Sequence, residues 1–460
     1  MQLDQDKKRC LDSLVWAIEQ LHGDLQMHRL HRTTDLIIQT MTGPWRFFHT
    51  PEHIFEVGGT VGATGEAIEV LAALFHDLVY VQVDQGVSVN ISSYISPFVK
   101  EDWGKLIIRD RDELVSDRLF DLVAAVFGFG PGQILPMGGQ NEFLSAVIGA
   151  KSLENLLPLD IIAQISACIE ATIPFRPKSA SGSSSSDALY QRLITVNQDF
   201  KFGWTDEKTQ AIVKRAVRVA NRDVENFAFT SSAHFLDNTW NLLPETNHHL
   251  KSASSYTVQG YRTSIQKMEG FMSFLKPELV FQQFKGEPDD QAYQCLVERT
   301  RKNLEVARLY LGAKLVSIGI IEALSFRIGR EIPISTMMGE LPSTSHSSAQ
   351  LEHFIPTISA QISPETDLEN EVLELLEIGR SLNSSYDVKN SPIATFVVKS
   401  VGFVELRKLL EQAKAFFRSD ISSEEFLSSC DPDVVRTVTN GVLELFESRK
   451  IALGQLTRSP

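Results

Sequence analysis

Apolar residues recur every three or four positions along most of this chain, and that spacing leaves few folds open. Over residues 66–82, Ile68, Leu71, Leu74, Phe75, Leu78 and Val79 fall on one side of a helix. Over residues 403–417, Phe403, Leu406, Leu409, Leu410, Ala413, Phe416 and Phe417 do the same. This is the period of an α-helix, whereas a half-buried strand alternates every second residue, a pattern that is scarce here. Thr366 with Glu369 and Ser422 with Glu425 have the spacing of capping boxes ahead of such stretches. The expected fold is all-α, a helical bundle followed by additional C-terminal helices. A chain of 460 residues is too long for one ordinary core and divides into two or three domains. Polar breaks fall at KSASGSSSSD (178–187), PETNHHLKSASS (244–255) and LPSTSHSSAQ (341–350). They set one helical domain over 1–243 and a second helical region over 256–460, split near 341–350. No internal repeat is visible.

Composition removes several functions. The net charge of −14 leaves no basic surface for bulk nucleic-acid binding, although a local pocket for one phosphate is compatible with it. Four cysteines at 10, 168, 295 and 430 make no CxxC pair. A disulfide framework and a Cys-rich zinc site are therefore not expected, and a reducing cytoplasm fits. Cys168 lies in an apolar stretch and reads as a small buried hydrophobe. Residues 1–21 read as an amphipathic helix rather than a secretory signal. The most apolar run, 309–326, contains Lys314 and Glu322, so it reads as a core helix rather than a membrane span. GxxxxGK[ST], HExxH and GxSxG are absent, and GFGPG (128–132) reads as a turn.

Six of the eleven histidines precede residue 80, and three of them sit in RFFHTPEH (46–53) and LAALFHDLVY (71–80). Pro51 favours the first helical position and pushes Thr50 out of the helical region. Thr50 then becomes the N-cap, His53 enters the first turn, and His49 stays just outside the helix. His76 and Asp77 read as mid-helix residues directed at least partly inward. A buried carboxylate needs a partner, and a divalent metal supplies one. Imidazole and carboxylate together suit Mn, Fe, Co, Ni, Zn or Mg. His22, His28 and His31 read as a solvated face, with a basic lip formed with Arg29 and Arg32 as the alternative. His248 and His249 read as exposed.

The pattern Arg46, Phe48, His49, His53, then Phe75, His76, Asp77, Val79, Tyr80 resembles the HD-domain superfamily of metal-dependent phosphohydrolases. It is more distantly similar to cyclic-nucleotide phosphodiesterases. QNEFLSAVIGAKSL (140–153) is similar to the N-(D/E)-x-x-S helix of those families, and VANRDVENFA (219–228) to the helix that delivers the closing aspartate. The likeness covers roughly residues 40–230. It implies metal ligands His53, His76, Asp77 and Asp223, with Asp77 bridging if a second ion binds. It implies His49 as the general acid, and Glu142, Tyr80 and Arg46 around the site, with Glu142 near enough to hold water. Asp187 and Asp199 are weaker alternatives for the closing ligand. The chain departs from the pattern at Phe48, where tyrosine is usual, and has no histidine between Ile148 and Leu153. The acidic pair that follows the HD in alarmone hydrolases is absent as well.

The expected activity is hydrolysis of a small phosphoester, a nucleotide among the candidates, by metal-activated water with His49 protonating the leaving oxygen. The alternative is a degenerate metal-binding domain that acts as a ligand sensor or protein-interaction scaffold. A di-iron oxygenase is disfavoured by the shortage of further histidines. The region beyond 256 carries no chemical motif and reads as a packing, partner-binding or homo-oligomer surface.

Overall fold

The structure is a computed structural model that describes residues 2–59, 66–251, 256–340 and 349–455. The expected breaks at 252–255 and 341–348, and the side chain of His249, lie outside the described residues. The fold is all-α, 66% helical with a single two-stranded sheet among the described residues.

The chain divides into two compact units, one of Met1–Phe227 with Lys276–Glu298, the other of Ala228–Leu275 with Arg299–Pro460. The sequence reading instead places the division at 243–256 and leaves 276–298 with the C-terminal region. In the first unit lie α1 (Gln2–Gln20), α2 (Met27–Met41), α3 (Pro51–Gly58), α4 (Ala67–Phe75), α5 (Val81–Asp84) and α6 (Val89–Ile95). They are followed by β1 (Val99–Asp102), β2 (Lys105–Ile108), α7 (Arg118–Phe127), α8 (Gln140–Leu153), α9 (Leu159–Ala171), α10 (Ser185–Phe200) and α11 (Asp206–Asp223).

Two helices form the centre of this unit. Every residue of α4 is buried, and α9 is buried from Ile162 to Ala171. A helix that is buried on all sides must be surrounded. Accordingly α4 packs on α1, α3, α8, α9 and α11, and α9 on α4, α7, α8, α10 and α11. Gly149 of α8 lets the crossing with α4 close up, since a Cβ there would stand 3.1 Å from the Phe75 ring. Helix ends are set locally. Asp117 caps α7 by accepting from the Leu119 and Phe120 amides at 3.0 Å, and Gly128 ends it in the left-handed conformation.

The periodicity over 66–82 does not continue as a helix. The helix stops at Phe75, with His76 as its C-cap and Asp77 in the turn that follows. Leu78 and Val79 remain buried although the backbone has left the helix, so the apolar pattern alone does not reveal the break. The Ser-rich break is also shorter than 178–187, because Ser184 and Asp187 form a full capping box and α10 begins at Ser185. The strand pair β1–β2 is unforeseen. Its turn is Trp103-Gly104, both with positive φ as a type I′ hairpin requires.

The second unit holds α12 (Ser232–Thr246), α13 (Val258–Phe274), the later part of α14 (Asp290–Ser325), α15 (Ile334–Met338), α16 (Asp367–Glu377), α17 (Pro392–Phe417), α18 (Ser423–Ser429) and α19 (Pro432–Gln455). The run 309–326 lies in α14 as a core helix up to Ser325. Its Glu322 accepts both arms of Arg262 at 2.8 and 3.0 Å. Gly402, at φ 73°, bends α17, so 403–417 forms a helix of its own. The Ser422–Glu425 box is complete, whereas Glu369 reaches back to the Glu365 amide and leaves the Thr366 box half formed. Pro244 and Glu245 belong to α12 rather than to a loop, and His248 is half-buried rather than exposed. His22, His28 and His31 are exposed.

Candidate metal centre

Pro51 occupies the first turn of α3 and Thr50, with extended backbone, precedes it as N-cap, although its hydroxyl makes no capping bond. This start turns the His53 imidazole into the core, where it is 8% exposed. Its Nε2 lies 3.1 Å from Asp223 Oδ1 and 3.3 Å from Asp77 Oδ2. His76 Nε2 lies 3.0 Å from Asp77 Oδ2 and 3.3 Å from Asp223 Oδ1. One ligand atom from each of the four residues falls within 4.8 Å of all the others. His76 Nδ1 donates to the Ala73 carbonyl at 2.8 Å, which leaves Nε2 as the nitrogen directed at the centre of the group. A backbone partner of this kind fixes the tautomer of a metal-ligating histidine.

Leaving the helix at Phe75 exposes backbone groups that must be paired. Arg46, 7% exposed, donates to the Asp77 carbonyl at 2.8 Å and to the Leu78 carbonyl at 3.4 Å, and forks onto Asp84. From the other side, Ser145 Oγ accepts from the Val79 amide at 2.9 Å and Asn141 Oδ1 from the Val81 amide at 3.2 Å. Asn141 and Ser145 are one turn apart on α8. The N-E-x-x-S element therefore clamps the HD turn, while Glu142 sits beside it.

A second buried device sets Asp223. Glu69 of α4 is 1% exposed and accepts from Arg218 at 2.7 Å and from Arg222 at 2.6 Å, both on α11. Arg222 also donates to the Val57 carbonyl at the end of α3 at 2.8 Å. The helices that deliver His53, His76 and Asp223 are thus tied together next to the four-residue group. In sequence Glu69 looks like a surface charge. The clue is its position inside an otherwise unbroken apolar helix.

The group attracts positive charge. Burial lowers the affinity of His53 for a proton, but hydrogen bonds and charge from Asp223 and Asp77 outweigh it and raise the pKa to about 9. His76 is raised by the same two carboxylates against the same burial. Burial pushes Asp77 up, yet the charges of His76 and His49 and the close approach of the His53 and His76 nitrogens hold it well below the usual range. Asp223 is held low in a similar way. Burial, with repulsion from Asp77 and Asp223, lifts Glu142 to about 7, and its Oε2 has no hydrogen-bond partner.

The donor spacing fits one ion. Bonds of about 2.1 Å place neighbouring donors about 3.0 Å apart around an octahedron and about 3.4 Å apart around a tetrahedron. The four cross distances between imidazole and carboxylate, 3.0 to 3.3 Å, fall within that range. No second group of this kind occurs among the described residues. The His49 ring stands 5.7 Å from His53 and edge-on to Tyr80 at 4.6 Å, adjacent to the four-residue group. Phe48 lies against both histidine rings at 4.9 Å. The alternatives for the closing ligand lie elsewhere: Asp187 caps α10 and Asp199 is exposed. Cys168 is buried, with its thiol pushed up to about 12.

No protein-family model matches the chain, and comparison with curated proteins and with solved structures returns no match either. No helix among the described residues is long and apolar enough to cross a membrane.

Proposed function

We propose that the first unit is a metal-dependent phosphohydrolase that cleaves a small phosphoester, a nucleotide among the candidate substrates. The observation that carries this reading is the convergence of His53, His76, Asp77 and Asp223 at the donor spacing of one divalent ion, with His76 locked in the ligating tautomer. An ion held there supplies Lewis acidity toward water and toward phosphoryl oxygens. Glu142, with its carboxyl near neutrality, accepts and returns a proton at working pH and orients water through its unpartnered oxygen. Water attacks phosphorus in line, the bond from phosphorus to the ester oxygen breaks, and His49 protonates the departing alkoxide. Arg46, Asn141 and Ser145 hold the turn that presents His76 and Asp77.

A second reading, a metal-binding sensor without turnover, is favoured by the packing of His49 between Phe48 and Tyr80, which gives that ring a structural role as well.

The His49→Ala variant separates the two. Under the enzymatic reading, turnover of an alkyl phosphodiester falls by about 10²–10⁴-fold, a nitrophenyl ester suffers much less, and metal content stays at the wild-type level. Equal rates for wild type and variant on both esters, or no turnover by wild type on a broad phosphoester panel, would leave the sensor reading standing.

A further inference from the structure

The second unit contains a cavity of about 470 Å³ that the metal centre does not use. Part of its lining is already neutral. Asp387 Oδ2 accepts from Trp240 Nε1 at 2.9 Å, from the Tyr261 hydroxyl at 2.7 Å and from Lys314 Nζ at 2.9 Å. Lys314 also donates to Ser391 Oγ at 3.1 Å. The one ammonium of the lining is therefore matched by a carboxylate within the wall. The Tyr256 hydroxyl donates to the Tyr386 carbonyl, so Tyr256 and Tyr261 both direct their hydroxyls into the protein. Their stacked rings, 5.9 Å apart, remain as cavity wall together with Ile318, Ile321 and Ile393.

Glu352 breaks this balance. It lines the same cavity, as does the exposed Glu340, and is half-buried. Burial and repulsion from Asp387 raise its carboxyl above the ordinary value, against the opposing charge of His353. The lining thus carries two carboxylates, Glu340 and Glu352, beyond the Lys314–Asp387 pair, an excess of negative charge beside aromatic and aliphatic walls. No three His, Cys, Asp or Glu donors converge here among the described residues, unlike at the His53 group. An anion would meet Glu340, Glu352 and Asp387, and an apolar guest would leave the excess carboxylate charge unmatched.

We infer that this cavity binds an organic monocation, an ammonium head group that pairs with Glu352 and lies against the tyrosine rings. Carboxylate and ring faces are the elements that recognise such ions, and the cavity falls in the size range of small-molecule sites.

The test compares choline with 3,3-dimethylbutan-1-ol, its uncharged isostere, on the full-length chain by saturation-transfer resonance and calorimetry. Choline is expected to bind at least about tenfold more tightly than the alcohol. Glu352→Gln is expected to erase that preference while the thermal midpoint stays within a few degrees of wild type. Equal binding of the two probes to the wild-type chain, or no choline binding at about 50 mM, overturns the inference without need of the variant. A Glu352→Gln protein that keeps the full preference overturns it too.

Discussion

Two imidazoles facing two carboxylates inside a helical core form a well for positive charge, and in the absence of metal that charge is carried by protons. Metal ligation needs both histidines neutral, so loading an ion displaces the proton that His53 holds up to about pH 9. Apparent Mn²⁺ affinity should rise between pH 7 and pH 9, by about tenfold per unit for each proton displaced, with matching proton release to an indicator dye. A pH-independent affinity would show that the histidines are already neutral. The stability of the chelated chain has the opposite sign. A raised folded pKa stabilises below the ordinary value of 6.5, and that contribution disappears as the pH climbs through about 9. At this scale the sequence was readable where chemistry is local: HxxxH and HD are short patterns, and Pro51 announces the helix that carries His53. Asp223 was reachable only through a resemblance, because nothing within its own neighbourhood marks it as a partner of residues some 150 positions earlier. Glu69 and its two arginines were not readable, since a carboxylate becomes a buried tie only when another helix lands on it.

Among the elements, the turn after α4 governs the site. It leaves the helix one residue before Asp77, and Arg46, Asn141 and Ser145 take up the backbone groups so released. Ser145→Ala strands the buried Val79 amide, which should cost about 1–3 kcal/mol of stability in denaturant unfolding. Because the same turn holds two of the proposed ligands, metal affinity should weaken by about 10–100-fold. Full stability and affinity in this variant would mean that the amide finds water and that the clamp is dispensable. The helix end itself was hidden from the sequence. Leu78 and Val79 continue the apolar spacing although their backbone is no longer helical, because the core needs their side chains whichever way the chain runs. The β1–β2 hairpin was missed for a related reason: four-residue strands give too little alternation to stand out.

For the whole molecule, the all-α fold follows from periodicity, while the division of the chain does not. Residues 276–298 return to the first unit, where Phe284 joins its core and Gln282 exchanges backbone hydrogen bonds with the Asn221 side chain, two residues from Asp223. Such a return leaves no local mark, since a segment that completes a distant core has the same composition as one that starts a new domain. A fragment of residues 1–298 should therefore bind Mn²⁺ more tightly than one of 1–250, by at least about tenfold in line with loss of a supporting contact. Equal binding would show that the returning segment has no part in placing α11. The most direct test of the account is a titration of Mn²⁺ into chelated full-length protein while hydrolysis of a phosphodiester is followed. Turnover should rise in proportion to occupancy, level off at one ion per chain, and be lost with the metal in Asp223→Ala. Full occupancy without turnover, or turnover that persists with less than about a tenth of an equivalent bound, would contradict it.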